Sequence, residues 1–258
     1  MKGKHGHYHL LLRVVFISLL VIFTWKPMEP GAEESADPFR VPILTYTAIG
    51  NYEGRGTTEL YVTDKNFKLQ MEYLKASGYT PITFDDLQNV RKFNKPVLIA
   101  FIGGDQTVWK AYQILQNMEE DEFQAKATLF MIVGQIGEKN RLSENQLKEM
   151  SDSGIFSMQS NTFTNADLTV TNNFPHELGD SKQKLTEITG KKVNAIAYPL
   201  GKYDINAVKE VKKYYQYGLT DSAGFVNEKT DPYKLRRLRV DVYTTLALFK
   251  EFVHPRLE

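Results

Sequence analysis

The fold prediction begins with Lys95-Pro-Val-Leu-Ile-Ala-Phe-Ile-Gly-Gly-Asp-Gln106, in which six apolar residues run from a proline to a pair of glycines. A continuous apolar run of this length is typical of a strand that is buried on both faces. From Val108 to Met118, apolar residues recur at helical spacing. The stretch therefore predicts a strand, a glycine turn and a helix, which together make half of a βαβ unit.

The same alternation of strand-like and helix-like patterns continues along the chain. Strands are predicted at residues 41–46, 127–133, 193–198 and 238–242, and a helix at residues 177–189. Strands that alternate with helices through short connections predict a parallel sheet with crossover helices. Because seven or eight strands fit this pattern, we expect an α/β fold that closes into a (β/α) barrel. Ligands bind such folds at the carboxyl ends of the strands, where the glycine turn lies.

The N-terminus predicts export. Basic residues precede an apolar run at residues 14–25, which is typical of a secretory signal. The run is shorter than the ~20 residues that span a bilayer, and Pro30-Gly-Ala32 is a poor cleavage signal, so a cleaved signal and a retained anchor both fit. We therefore expect three segments: a signal peptide or N-terminal membrane anchor (1–28), a linker (29–40) and an extracytoplasmic domain (41–258), either secreted or anchored to the cell membrane.

Composition excludes several classes of function. The chain contains no cysteine, which excludes disulfides, thiolate metal sites, a cysteine nucleophile and a lipoprotein anchor. The formal charge is +1, so the charge balance gives no basis for nucleic-acid binding. Three of the five histidines precede the apolar run, which leaves His176 and His254 for the domain. Both are predicted to lie on segments far from the loops that would carry the catalytic motifs.

Six short segments, spread from the first predicted strand to the last, carry a family resemblance. They are Val41-Pro-Ile-Leu-Thr-Tyr46, Gly78-Tyr-Thr-Pro-Ile-Thr83, Lys126-Ala-Thr-Leu-Phe130, Gln159-Ser160, Tyr198-Pro-Leu-Gly201 and Leu235-Arg-Arg-Leu238. In this order they resemble the NodB-homology polysaccharide deacetylases, carbohydrate esterase family 4. The resemblance implies a deformed (β/α) barrel. It also implies an enzyme that uses Zn²⁺ or another divalent metal to remove acetyl groups from N-acetylglucosamine polymers or peptidoglycan.

The chain departs from this family at the catalytic motifs. The family motif Thr-Phe-Asp-Asp-Gly supplies the base and a metal ligand, but this chain has Ile102 and Gly103 in place of the two carboxylates. The family motif His-Ser/Thr-x-x-His supplies two imidazole ligands, but this chain has Asn161 and Asn165. Isoleucine cannot accept a proton, and the neutral carbonyl of asparagine is a poor ligand for Zn²⁺. We therefore expect no intact catalytic set, no metal site and no cofactor.

Two residual catalytic candidates remain near these motifs. Asp105 is predicted either as a displaced base or ligand, or as the N-cap of the helix that follows it, and the second role is preferred. Leu200 matches the position whose backbone N–H serves the family as an oxyanion donor, a function that does not depend on the side chain.

Further residues of the same loops are candidates for binding a sugar. They are Asn161, Asn165, Tyr198, Pro199, Gly201 and Tyr203. The alternative role is loop-stabilising hydrogen bonding for the asparagines and core packing for the tyrosines. A basic group at residues 234–239 is predicted either to meet anionic wall polymers or to form a solvated rim, and the rim is preferred.

Three functions stay open at this point. The favoured hypothesis is a non-catalytic pseudoenzyme that binds N-acetylated cell-wall glycan or exopolysaccharide outside the cell membrane. The second is a divergent but active carbohydrate N-deacetylase. The third is a structural partner of another wall enzyme. The loss of base and metal ligands favours the first, because a fold by itself does not confer activity.

Overall fold

The structure is a computed structural model that describes residues 40–119 and 123–254. The chain divides into two units, Met1–Ala36 and Asp37–Glu258, and the described residues all belong to the second. The predicted signal or anchor lies outside the described residues, as does nearly all of the predicted linker. In the part of the chain that the structure describes, no helix is both long and apolar enough to cross a membrane.

The described residues form ten strands and six α-helices. The strands are β1 (Ile43–Tyr46), β2 (Ala48–Ile49), β3 (Tyr61–Val62), β4 (Thr80–Ile82), β5 (Pro96–Gly103), β6 (Ala127–Met131), β7 (Phe156–Ser160), β8 (Ala195–Ala197), β9 (Tyr217–Ala223) and β10 (Leu235–Arg239). The helices are α1 (Asp64–Ala76), α2 (Val108–Glu119), α3 (Glu144–Asp152), α4 (Ser181–Thr189), α5 (Ile205–Val211) and α6 (Leu246–Val253).

Seven parallel strands close into a barrel. They follow the order β1-β10-β9-β8-β7-β6-β5, and β1 also pairs with β5, with Ile43 opposite Leu98. Strand β4 adds to the first residues of β5, while β2 and β3 form a separate parallel pair. The pairing between β7 and β8 is short and is registered at Ser160 and Ile196. This topology confirms the predicted α/β class and the deformed (β/α) barrel.

Strand β5 shows how side chains divide between the two sides of the barrel wall. Ile99 and Phe101 pack with the helices, whereas Leu98 and Ala100 belong to the cluster inside the barrel. This alternation follows from the two-residue period of a strand. Ile102 is the next inward residue and packs against the interior cluster at its upper end. The alternation along β5 therefore places Ile102 on the inner side of the barrel wall, at the carboxyl end of the strand.

Some element boundaries differ from the prediction. Strand β10 begins and ends three residues earlier than predicted, because the prediction followed the alternating apolar residues Leu238, Val240 and Val242. The helix predicted at residues 177–189 begins as a π-helical turn over Pro175–Asp180 and continues as α4. Strands β2 and β3 were not predicted, since two-residue strands show no periodic pattern.

Candidate functional site

A cavity of about 530 Å³ opens at the carboxyl ends of the barrel strands. Three loops line it with the residues that the sequence singled out: Ile102, Gly103 and Asp105 after β5, Asn161 and Asn165 after β7, and Leu200 and Gly201 after β8. A volume of this size is typical of a small-ligand site. The structure thus brings the three loops together at the edge of the sheet where α/β folds bind ligands.

The turn after β5 is built from two glycines with positive φ angles. Gly104 has φ +81°, and a Cβ atom there would overlap the buried thioether of Met131. Gly103 has φ +99° but lies in open space, with Ile132 Cδ1 3.9 Å from the position of a Cβ atom. Backbone conformation, rather than crowding, therefore opposes a side chain at residue 103. A carboxylate introduced there would require a strained backbone.

Asp105 has two contacts that fix its carboxylate. Oδ1 accepts a hydrogen bond of 2.9 Å from the N–H of Thr107, in the turn that leads into α2. The same oxygen lies 3.5 Å from Nη2 of Arg55. The first contact joins residues two apart, as in an Asx turn, and α2 begins only at Val108, so Asp105 orders the turn ahead of the helix rather than occupying the predicted N-cap. Asp105 also lines the cavity, so its carboxylate faces the space where a ligand would lie.

The loop after β7 is held from outside by a buried glutamate. Glu177, which is 4% exposed, accepts hydrogen bonds from the N–H groups of Phe163 and Thr164 at 3.1 and 2.9 Å. It also accepts the hydroxyl of Thr164 at 2.6 Å. Thr162 and Asn165 have positive φ angles of 63° and 65°, so this loop is tightly turned. Sequence reasoning missed Glu177, whose carboxylate fixes the backbone that carries the two asparagines.

The two asparagines face each other across the turn. Nδ2 of Asn161 donates to Oδ1 of Asn165 at 3.4 Å, a long hydrogen bond. Asn161 is 4% exposed, and its Oδ1 has no hydrogen-bond partner among the described residues. A buried polar atom without a partner is costly unless a ligand or water satisfies it. Asn161 lines the cavity, but this oxygen is itself buried, so it meets a bound group only when the side chain turns towards the cavity.

The turn after β8 presents backbone rather than side-chain groups. The N–H groups of Gly201 and Lys202 donate to the carbonyls of Tyr198 and Pro199 at 3.0 Å each. Leu200 is 67% exposed with φ +56°, and its N–H has no acceptor among the described residues. This free N–H is at the position that the family resemblance assigns to an oxyanion donor, and it lies beside the cavity.

The tyrosines proposed for sugar binding take structural positions. Tyr198 is 4% exposed, and its hydroxyl donates to the carbonyl of Tyr233 at 3.1 Å. Its ring lies 5.1 Å from the ring of Tyr203. Burial raises the pKa of Tyr198 well above its usual value. Tyr198 still contributes to the cavity lining, whereas Tyr203 and Pro199 do not.

The basic group at residues 234–239 is not only a solvated rim, and this preferred prediction is wrong for Arg237. Lys234, Arg236 and Arg239 are exposed as expected, whereas Arg237 is half-buried, and both Arg237 and Arg239 line the cavity. A pattern in the sequence could have revealed this arrangement. In Leu235-Arg-Arg-Leu-Arg239, alternate residues share one face of the strand, and Leu235 belongs to the interior cluster.

The two histidines of the domain lie outside the cavity. The prediction that His176 lies far from the motif loops is wrong, because its ring is 4.2 Å from the ring of Phe163 in the loop after β7. Its Nδ1, however, is 2.8 Å from a carboxylate oxygen of Asp180, and neither His176 nor His254 lines the cavity. Among the described residues, no three His, Asp or Glu side chains are grouped to hold a metal ion. This donor set does not fit the divalent metal that the family resemblance implies.

Comparison with known proteins identifies the family. The family model described as polysaccharide deacetylase matches residues 77–218. A Bacillus subtilis protein named putative polysaccharide deacetylase YxkH is 32% identical over 84% of this chain and 77% of its own length. The chain therefore belongs to the polysaccharide deacetylase family, as its motifs predicted.

Two further relatives support this assignment. The poly-β-1,6-N-acetyl-D-glucosamine N-deacetylase of Staphylococcus epidermidis is 29% identical over 74% of this chain and 72% of its own. The crystal structure of BC0361, a polysaccharide deacetylase from Bacillus cereus, superposes with a TM-score of 0.81 and 41% identity. That match covers 83% of this chain and 69% of the other. Homologues of this chain are thus polysaccharide deacetylases, and one of them acts on a polymer of N-acetylglucosamine.

Proposed function

We propose that this protein is a non-catalytic member of the polysaccharide deacetylase family that binds N-acetylated glycan in the cavity of its barrel. One observation carries the proposal. The cavity is formed by the family's loops, yet Ile102, Gly103, Asn161 and Asn165 occupy the positions of the base and three metal ligands. A site of this composition can bind a sugar but lacks the groups that activate water for amide hydrolysis.

The groups that remain suit a neutral amide ligand. Asn161 offers a buried carboxamide oxygen without a partner, and Leu200 offers a backbone N–H without a partner in the described residues. An acetamido group has one N–H donor and one carbonyl acceptor, so it complements this pair. Ile102, at the floor of the cavity, supplies apolar surface for an acetyl methyl group. These features support recognition of an N-acetyl sugar without its cleavage.

The proposed location is outside the cytoplasmic membrane. It rests on the basic and apolar N-terminal sequence and on the extracellular nature of N-acetylglucosamine polymers. A reporter enzyme that is active only after export, fused after Arg40, provides the test. Activity of the fusion supports export, and activity only in the cytoplasm contradicts it.

Calorimetric titration of the purified domain with N-acetylglucosamine oligomers tests the binding function. We expect saturable binding that the Asn161→Ala and Asn165→Ala substitutions together weaken by about tenfold, which corresponds to ~1.4 kcal/mol. Asn173→Ala is the matched control, because Asn173 is exposed and distant from the cavity lining. Absence of glycan binding by the wild type would contradict the proposed function.

A second candidate function is a divergent deacetylase that is still active. The carboxylate of Asp105 favours it, because this acid lines the cavity two residues beyond the missing ligand position. The contacts of Asp105 with Thr107 and Arg55 argue for a structural role instead. Acetate release by the wild type and by Asp105→Asn separates the two functions. A divergent deacetylase releases acetate and loses this activity in Asp105→Asn, whereas a non-catalytic protein releases none in either form.

A further inference from the structure

The cavity carries an excess of positive charge. Five cationic residues line it: Arg55, Lys139, Arg141, Arg237 and Arg239. Asp105 is the one carboxylate in that lining, which is drawn from the described residues. The domain as a whole has no such bias, since the formal charge of the entire chain is +1. The positive charge is therefore concentrated at the cavity.

Protein groups satisfy only part of this charge. Arg55 lies 2.9 Å from the carboxylate of Glu53 and 3.5 Å from that of Asp105. Arg141 donates to the carbonyl of Gly103 at 3.4 Å. Arg237 and Arg239 have neither an ion pair nor a hydrogen bond in the part of the chain that the structure describes. Lys139 is likewise unpaired among the described residues but is exposed, so Arg237 and Arg239 are the unpaired guanidinium groups of the lining, and their donors are left to a ligand.

The barrel holds these two arginines together. They occupy alternate positions of β10, and Arg239 is in register with Thr45 of β1, another residue of the lining. Burial lowers the pKa of Arg237, the nearby Asp221 raises it, and Arg239 lowers it further. Asp221 is itself exposed, and its carboxylate packs against Gly201 on the rim. Two like charges held close in a partly buried site are unfavourable until an anion joins them.

We infer that the cavity binds an acidic glycan, that is, an N-acetylated polysaccharide that also bears carboxylate or phosphate groups. This inference rests on the proposed glycan-binding function and names its substrate class. Arg237 and Arg239 contact the acidic group, because guanidinium groups form paired hydrogen bonds with carboxylates and phosphates. The unpartnered carboxamide oxygen of Asn161 contacts a hydroxyl or acetamido N–H of the same glycan.

The same charge disfavours a deacetylated polymer. Removal of an acetyl group from N-acetylglucosamine leaves a primary amine that is largely protonated near neutral pH. Such a product is repelled by Arg237 and Arg239, whereas a neutral polymer meets neither attraction nor repulsion. The order of affinity follows directly: acidic, then neutral, then cationic.

Binding of four probes to the full domain tests the inference. They are a hexasaccharide of alternating N-acetylglucosamine and glucuronate, a poly(glycerol phosphate) chain that bears N-acetylglucosamine, a neutral N-acetylglucosamine hexamer, and its fully deacetylated form. At low salt, we expect at least one acidic probe to bind about tenfold more tightly than the neutral hexamer, and the deacetylated hexamer to bind most weakly. The carboxylate and phosphate arms identify which acid the site prefers. The preference should shrink as salt screens the charges.

Variants locate the effect. Arg237→Gln with Arg239→Gln should abolish the preference for acidic over neutral probes, and circular dichroism with thermal unfolding shows whether the variant is folded. Arg236→Gln is the matched control, since Arg236 is the exposed neighbour on the opposite face of the strand. If the double variant does not fold, Arg239→Gln alone, whose side chain is exposed, should reduce the acidic preference about threefold or more.

Each outcome decides the inference. Equal affinity for acidic and neutral probes overturns it but leaves the proposed function standing. An equal loss in Arg236→Gln places the effect on the outer surface and also overturns it. If inorganic polyphosphate, added as a fifth probe, binds as tightly as the acidic glycans, the cavity binds anions in general and the inference of an acidic glycan is overturned. Absence of binding by every glycan overturns both the inference and the proposed function.

Discussion

Nη2 of Arg55 lies 3.5 Å from Oδ1 of Asp105, on the lining of the barrel cavity. The side chains are 30% and 17% exposed, so this ion pair is partly shielded from solvent. The same carboxylate oxygen accepts the N–H of Thr107 at 2.9 Å. The carboxylate of Asp105 therefore orders the turn before α2 and pairs with the charge of Arg55, and both roles are structural. These contacts explain the position of Asp105 without a catalytic role.

Asp105→Ala and Asp105→Asn should differ in stability. The alanine variant loses the acceptor for Thr107, which costs about 0.5–1.5 kcal/mol of the free energy of unfolding. The asparagine variant keeps a hydrogen-bond acceptor for Thr107 and loses only the ion pair with Arg55. Because that pair is partly exposed, it is worth about 0–1 kcal/mol. Urea unfolding of both variants measures the difference. Equal losses would show that the charge of Asp105, rather than its hydrogen bond with Thr107, is what stabilises the domain.

Gly104→Ala should destabilise the domain more than Gly137→Ala. The two glycines have φ angles of +81° and +78°, so alanine meets similar backbone strain at both, of about 1–2 kcal/mol. Only at Gly104 does the new Cβ overlap Met131, and such overpacking adds about 1–3 kcal/mol. Thermal and urea unfolding provide the comparison. Equal losses would contradict the close packing of the turn after β5.

Glu177→Gln should loosen the loop that carries Asn161 and Asn165. The substitution weakens three hydrogen bonds to a buried carboxylate, and we expect a loss of about 1–3 kcal/mol in the free energy of unfolding. Glycan binding should weaken as well, since the loop lines the cavity. Glu187→Gln is the control, because Glu187 is exposed and receives one hydrogen bond from Gln183. Unchanged stability of Glu177→Gln would show that the loop does not depend on this carboxylate.

Acid should weaken a link between two of the cavity loops. Asp167 lies 2.8 Å from Nζ of Lys202, and the hydrogen bonds from Lys202 and Thr169 lower the pKa of Asp167 to about 2. Because the folded pKa is below the unfolded value, this contribution is present above about pH 4 and is lost as pH falls towards 2. Unfolding experiments over this range compare the wild type with Asp167→Asn. The two curves should converge as pH falls, and curves that stay parallel would contradict the link.

Local sequence patterns predicted the scaffold well. The apolar run that ends at Gly103 forms β5, and Ser143 with Gln146, whose residue types and spacing match a capping box, forms one at the start of α3. These elements depend on neighbouring residues or on burial of both strand faces, which a sequence displays directly. The meeting of the three motif loops also followed from the sequence, because parallel strands end at one edge of the sheet.

The electrostatics of the cavity were not predictable in the same way. Glu177 acts on residues 13 and 14 positions earlier in the chain, through a loop whose path no local pattern encodes. Arg237 and Arg239 were assigned to the rim because charged residues are rarely placed inside a barrel. At the open end of the barrel, however, a long arginine side chain reaches solvent while its stem stays packed.

Acetate release from N-acetylglucosamine oligomers is the measurement that tests the central claim most directly. The purified domain is treated with chelator and then assayed with and without added Zn²⁺, Co²⁺ or Ni²⁺. We expect no metal-dependent acetate release in any sample, because Ile102, Gly103, Asn161 and Asn165 supply neither a base nor anionic or imidazole ligands. Turnover that chelator abolishes, that metal restores and that Asp105→Asn removes would contradict the claim and identify Asp105 as a displaced catalytic carboxylate.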